Sequence, residues 1–399
     1  MMSVDDALQH ILALIAPPVA ESVALAAASG RVLAAPLTAQ HSQPPFDASA
    51  MDGYAVRAVD VVPGRRLRLI GVAQAGQRFS GMIAAGQCVR IFTGAPMPIG
   101  ADTVIMQEEA DANGNEIAFA ASPNPGQSVR HRGSVFAEGE ALLPAGTLMT
   151  PPRLALAAAA NRARLRVARR PRVALLATGD ELVAAGSPLG LDQIVASNSV
   201  GLAALFAPVV GGVMDLGIVR DEREALNAAL LRAFDTGVDV LVTTGGASVG
   251  DRDFVQEALI DLGVTLDFWK LAMRPGKPLM FGTRGKTLIF GLPGNPVSAL
   301  VTGAVVVLPA LRQMLGQIDP LGRRLWLPLG VPLPANGPRR HYIRARLDLT
   351  ATGSVVMPLA ETDSGHIASF ADAHGLIVMP EDHAGLAAGA LVEFLPLQD

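Results

Sequence analysis

The sequence predicts a multidomain α/β plus β protein: a central doubly wound, mainly parallel α/β domain, an inserted β-rich domain, a helical linker domain and a C-terminal small β-barrel. Three observations carry this expectation. From Arg172 onward, strand-like and helix-like runs alternate at the spacing of a sheet covered on both faces. The alanine-rich, helix-spaced character of the first 40 residues returns at "PPRLALAAAANRA" from Pro151, beyond a region of short alternating segments broken by Gly and Pro. After about residue 320, "HYIRARLDL", "GLIVMPED" and "LVEFLPL" alternate polar and apolar residues between turns. These shifts place the linker domain at 1–40 with 138–170, the insertion at 41–137, the α/β domain at 171–320 and the barrel at 321–399.

The N-terminal "MMSVDDALQHILALIAPP" puts Ala7, Ile11, Leu14 and Ile15 on one helix face and has acids where a signal peptide needs lysine or arginine, so it reads as structural. In the insertion, "RLRLIGVAQAG", "QCVRIFTGA" and "NEIAFAA" read as strands. The α/β run begins with strand "RVALLATGDEL" and helix "SNSVGLAALFA", which has Ser or Asn available as its cap. Strand "VVGGVMDLGIV" and helix "DEREALNAALLRAF" follow, then "DVLVTTGG", "FVQEALIDLG" and "VTLDFWKLAM". The segment "LMFGTRGKTLIFG" reads as a hairpin and not a P-loop: Met280 stands where that pattern needs glycine, and no helix follows. The apolar run Val297 to Leu311 contains Pro309 and is shorter than the roughly 20 residues that span a bilayer, so it reads as a buried helix.

Composition narrows the function classes. The chain has 399 residues, 50% hydrophobic and 17% charged, enough for a sizeable core. A net charge of -4 supplies no global field for nucleic acid or an anionic membrane, so neither is expected as a partner and any anion must be held locally. The single cysteine, Cys88, excludes an intrachain disulfide and a thiolate metal cluster and fits a cytoplasmic location.

In an open α/β sheet, ligands sit beyond the carboxyl ends of the strands. "TTGGASVGDRDF" leaves a strand there, and the backbone N–H groups around Gly245, Gly246, Ser248 and Gly250 can form a phosphate nest. A tight turn with Asp251 or Asp253 capping the next helix reads the same residues equally well. Glu181, Asp221 and Asp253 each fall at comparable strand ends, although Asp221 also suits a helix cap. Three converging acids need a divalent cation, and Mg²⁺ commonly bridges carboxylates to substrate phosphates. Positive charge comes from "FWKLAMRPGKP", where Lys270 and Arg274 fall on one side of an extended strand and a Pro-Gly turn carries Lys277 outward. "GLPGNPVSALV" is a rigid turn, Pro293, Gly294, Asn295 and Pro296, feeding a helix whose first amides can face an anion. In the insertion, Asp52-Gly53 and Thr93-Gly94 read locally as turns.

Together with "FDASAMDGYAVR", "RIFTGAPMPIGADTVIMQEE" and "DSGHIASFADAHGLIVMP", these motifs resemble, in order and over nearly the whole chain, the molybdopterin molybdenumtransferases, the MoeA family that includes the gephyrin E domain. The resemblance implies insertion of molybdate into adenylylated molybdopterin, with Mg²⁺-dependent release of AMP. It implies a homodimer whose active site lies between the α/β domain of one subunit and the insertion of the other. The molybdopterin adenylyltransferase and apo-molybdoenzymes follow as possible partners. By motif, Asp52 and Thr93 come from the insertion, Glu181, Asp221 and Asp253 from the α/β domain as acids and metal ligands, Lys270 and Arg274 from the next strand, and Arg344 and Ser364 from the C-terminal domain. Arg274 stands where the family often has lysine, which keeps charge but changes donor geometry. Val135 stands where the family usually has aspartate: either Glu138 or Glu140 compensates, that acid is dispensable, or part of the chemistry is lost. A binding or scaffolding paralogue, or adenylyl transfer onto molybdopterin, are the alternative readings.

Overall fold

The computed structural model describes residues 1–245, 254–350, 353–361 and 363–397. The α/β domain is a six-stranded sheet ordered Gly212–Val219, Arg172–Thr178, Val240–Thr244, Thr287–Leu292, Pro278–Arg284, Thr265–Lys270. The first four strands pair in parallel. Pro278–Arg284 runs against both its neighbours, because the "GTRGKT" segment is a tight hairpin. The sheet is therefore mixed, with one reversed strand.

Period-two alternation along these strands assigns each face its own core. Val173, Leu175, Val240, Val242, Phe281 and Phe290 point to one side, against Phe206 and Val301. Ala174, Leu176, Leu241, Met280 and Ile289 point to the other, against Leu226, Leu230, Val255 and Leu259. Each large side chain buried in this way stabilises the fold by about 1.5–3 kcal/mol. The apolar helical run Pro296–Met314 has the length and hydropathy of a membrane span, yet 72% of its most apolar window is buried inside the protein.

The N-terminal segment corrects the linker assignment. Helix Val4–Ala13 buries Val4, Ala7, Leu8 and Ile11 in the α/β core instead of in the linker, and Leu14 is exposed at its end. The face is one turn earlier than the sequence suggested. A backbone bond from Met2 N–H to Lys270 O and one from Ala272 N–H to Met2 O fasten this segment to the edge of the sheet. The linker core is built from residues further on: strand Ala20–Ala24 pairs with Arg164–Ala168, and Ala28, Leu33 and Leu37 pack against Met149, Ala157 and Val167.

The insertion holds a six-stranded sheet ordered Thr103–Met106, Gly53–Val56, Gln87–Ile91, Arg66–Ala73, Glu116–Phe119, Ala110–Asn113. Cys88 is fully buried there, and burial pushes its thiol up to about 12, so it is an inert apolar residue. In the C-terminal domain, strand Arg340–Thr350 pairs with Gly353–Pro358 and Gly375–Met379, the latter with Leu391–Pro396, and that with Leu325–Pro328. A bridge between Leu329 and Val356 closes the ring around Ala345, Ile377 and Phe394. Met273–Arg274 adds in parallel to Arg340–His341, so the α/β domain donates a short strand to the barrel.

Candidate functional site

The C-terminal domain leans over the carboxyl ends of the α/β strands, and a cleft of about 1050 Å³ lies between them. Its floor is made where strands stop: Thr178 and Gly179, Thr244 and Gly245, and Pro293 to Pro296. Gly245 is required by shape, since its φ is +91° and a Cβ there would fall 2.2 Å from the Thr178 carbonyl oxygen. Gly179 lies under the Glu181 carboxylate, with Oε2 only 2.7 Å from where a Cβ would stand.

The cleft collects most of the expected residues. Glu181, Asp221, Lys270, Arg274, Lys277, Pro293, Gly294, Asn295, Pro296, Arg344 and Ser364 all line it, together with Gly245. Gly246, Ser248, Gly250 and Asp253 lie outside the described residues. Asp52 and Thr93 are not among the lining residues.

Asp221 is free of the capping role that its position allowed. The N-cap of helix Arg223–Asp235 is Glu222, and its side chain makes no cap bond. The Asp221 carboxyl is held above the usual carboxylate range by burial and by the charges of Asp180 and Glu181. The site is therefore over-supplied with negative charge, which favours a cation. Among the described residues no group of three metal-ligating side chains is assembled, and Asp253, the third acid of the expected set, lies outside them.

The opposite wall is basic. Lys270 ends its strand in the α/β sheet, whereas Arg274 belongs to the short strand added to the barrel, so the two reach the cleft from different sheets and not from one strand face. Lys270, Arg274 and Lys277 are all exposed. Arg339 and His341 join them, and no local pattern in the sequence selects either.

Several polar residues hold walls together. The expected cap of helix Asn198–Phe206 is absent; Asn198 instead donates from Nδ2 to the Gly294 carbonyl at 2.7 Å, fixing the "GLPGNP" turn. Asn295 Nδ2 donates to Ser364 Oγ at 2.9 Å, and Val297 N–H donates to Ser364 O at 3.1 Å, which ties the C-terminal domain to the start of helix Pro296–Thr302. Arg344 is buried and spends its donors on the 361–369 segment: Ser369 Oγ at 2.7 Å, His366 O at 3.2 Å and Glu361 O. It lines the cleft as expected and also positions the turn that presents Ser364.

In the insertion, Asp52 Oδ1 accepts from both Thr93 N–H and Thr93 Oγ1, each at 2.8 Å, and these bonds hold its carboxyl below the usual range. Both residues are exposed. Arg90 donates to the Gly53 carbonyl at 2.9 Å and stacks over Tyr54 and Phe92, bracing the two loops that carry the pair. Val135 is 66% exposed. Of the acids near it in sequence, Glu140 accepts from Ala137 N–H at 2.9 Å, a local turn bond.

The chain is similar to known proteins along most of its length. Residues 2–161 match the MoeA N-terminal region (domain I and II), 174–313 a probable molybdopterin binding domain and 327–397 the MoeA C-terminal region (domain IV). The chain is 37% identical to a molybdopterin molybdenumtransferase from Nostoc sp., covering 94% of this chain and 88% of the relative. It is 32% identical to one from Bacillus subtilis, over 99% and 94%. A crystal structure of a molybdopterin biosynthesis MoeA protein from Pyrococcus horikoshii superposes with a TM-score of 0.86 at 27% identity, covering 99% of each chain.

Proposed function

The chain belongs to the molybdopterin molybdenumtransferase family, an enzyme family of molybdenum cofactor biosynthesis, and from its cleft we propose that it inserts molybdate into adenylylated molybdopterin with release of AMP. The observation that carries the finer reading is one cleft with acids at one set of strand ends and Lys270, Arg274, Lys277 and Arg339 on the facing wall. A substrate with a phosphate bridge and an oxyanion needs both.

The floor turns at Gly245 and at Pro293 to Pro296 bring backbone close to the ligand, where N–H groups can receive phosphate oxygens. Lys270, Arg274 and Lys277 attract molybdate and the terminal phosphate through charge-assisted hydrogen bonds. Glu181 and Asp221 are the carboxylates that would hold Mg²⁺, a hard cation that takes oxygen ligands. When bound, that ion neutralises charge on the phosphoanhydride. The excess negative charge around Asp221 supports this fit. The protein's contribution is then orientation and charge placement, since ligand exchange at molybdenum is chemistry of the substrates.

Asp52 and Thr93 belong to the same reading as contributions from a second subunit. Their rigid pairing and their absence from the cleft of their own chain support a composite site in a homodimer. There they would position the incoming oxyanion or its water. The adenylyltransferase that makes the substrate and apo-molybdoenzymes that take the product are the partners this role requires, in the cytoplasm. Purified protein given adenylylated molybdopterin, Mg²⁺ and molybdate should release AMP and reconstitute an apo-molybdoenzyme. Tight pterin binding without AMP would replace this reading with a scaffold, and formation of adenylylated pterin from ATP with an adenylyltransferase.

A further inference from the structure

His341 is the only histidine among the described residues that line the cleft. It is placed there by the parallel pairing that sets it directly beside Arg274. Three guanidinium groups surround it: Arg274 from the added strand, Arg339 just before its own strand, and Arg344 further along it. The flanking strands Gly353–Pro358 and Gly375–Met379 carry no ionisable side chain. Glu361 and Asp363 face the cleft from the turn that Arg344 holds, and Lys270 and Lys277 from the α/β side. The imidazole is partly buried, and no hydrogen bond is made to either ring nitrogen among the described residues. Its two nitrogens therefore stand beside a basic wall with no hydrogen bond from a described residue.

We propose that His341 is an oxyanion-binding residue that takes up a proton as a divalent tetrahedral oxyanion settles beside Arg274 and Arg339, so that the cleft binds the anion and a proton together. This rests on the reading that the basic wall receives the oxyanion. The physical reason is a change in what surrounds the ring. In the free protein, burial and then the charges of Arg274, Arg339 and Arg344 push His341 down to about 4, so it is neutral at physiological pH. A dianion placed among those arginines cancels the repulsion and offers an acceptor to a ring N–H, and both effects favour the charged imidazolium. The free-state value is low and the bound-state value is raised. Binding therefore strengthens as pH falls through the bound-state value and stops strengthening below about 4, where the free protein is already protonated.

Sulfate is a suitable probe, being a tetrahedral dianion that does not titrate near neutrality. Calorimetric titration of the full chain with sulfate at pH 6, in two buffers of different ionisation enthalpy, should report net proton uptake of up to one per site. Affinity should rise by up to about tenfold per pH unit in that range. His341→Gln should still bind sulfate and lose the uptake, and molybdate should compete with sulfate. Sulfate binding with no proton uptake in the wild type, or equal uptake in His341→Gln, would overturn the inference while leaving the oxyanion wall intact. Failure of sulfate and molybdate to bind at all would overturn that wall and the inference with it.

Discussion

The cleft of the α/β domain and the Asp52–Thr93 pair of the insertion both hold ionisable groups on glycine-braced loops, but only the first has walls. Glu181 and Asp221 stand at the ends of parallel strands, and Lys270 and Lys277 of the same domain, Arg274 of the strand added to the barrel and Arg339 of the barrel line the same cleft. Asp52 has its carboxylate fixed by two Thr93 donors and faces solvent. The pair is hydrogen-bonded yet exposed, so its free carboxylate oxygen is accessible. The difference explains why one region reads as a binding site by itself and the other does not.

That contrast can be tested by removing groups from each side. Asp221→Asn keeps the shape and removes a carboxylate from the cleft; AMP release should fall by about 10²–10³-fold, with the melting temperature unchanged or raised. Asp52→Ala should also lower AMP release strongly, with an unchanged melting midpoint because the side chain is exposed. Wild-type AMP release from Asp52→Ala would remove the insertion's pair from the site. Gly245→Ala places a Cβ 2.2 Å from the Thr178 carbonyl at a φ of +91°, and should destabilise the α/β domain by about 1–3 kcal/mol, read as a lower melting midpoint.

Smaller effects probe the walls. Arg344→Lys cannot serve Ser369, His366 and Glu361 together, so hydrogen exchange should speed up across 361–369 while the rest of the barrel keeps its protection. Val135→Asp, at a position 66% exposed, should change stability by no more than about 0.5 kcal/mol in thermal melts.

The strand ends were legible in the sequence because alternation sets the sheet and the sheet sets where its loops converge. Glu181, Asp221 and the "GLPGNP" turn followed from that rule. Arg339 and His341 did not, because their place depends on Met273–Arg274 joining a strand that begins at Arg340, a pairing no local pattern encodes. Amphipathic spacing likewise gave a helix at the N-terminus but not its partner, and Val4, Ala7 and Ile11 turn out to serve the α/β core. The motif that matched Arg344 identified a residue of the site without revealing that its donors are spent on the chain itself. Asp253 falls outside the described residues, so the third expected acid has no place in this comparison.

The composite site is tested most directly by mixing two disabled proteins. Asp52→Ala and Asp221→Asn, unfolded together and refolded at equal amounts, should regain about a quarter of the wild-type AMP release, since half the dimers are mixed and each has one intact site. A mixture as inactive as its parents would contradict a site shared between subunits.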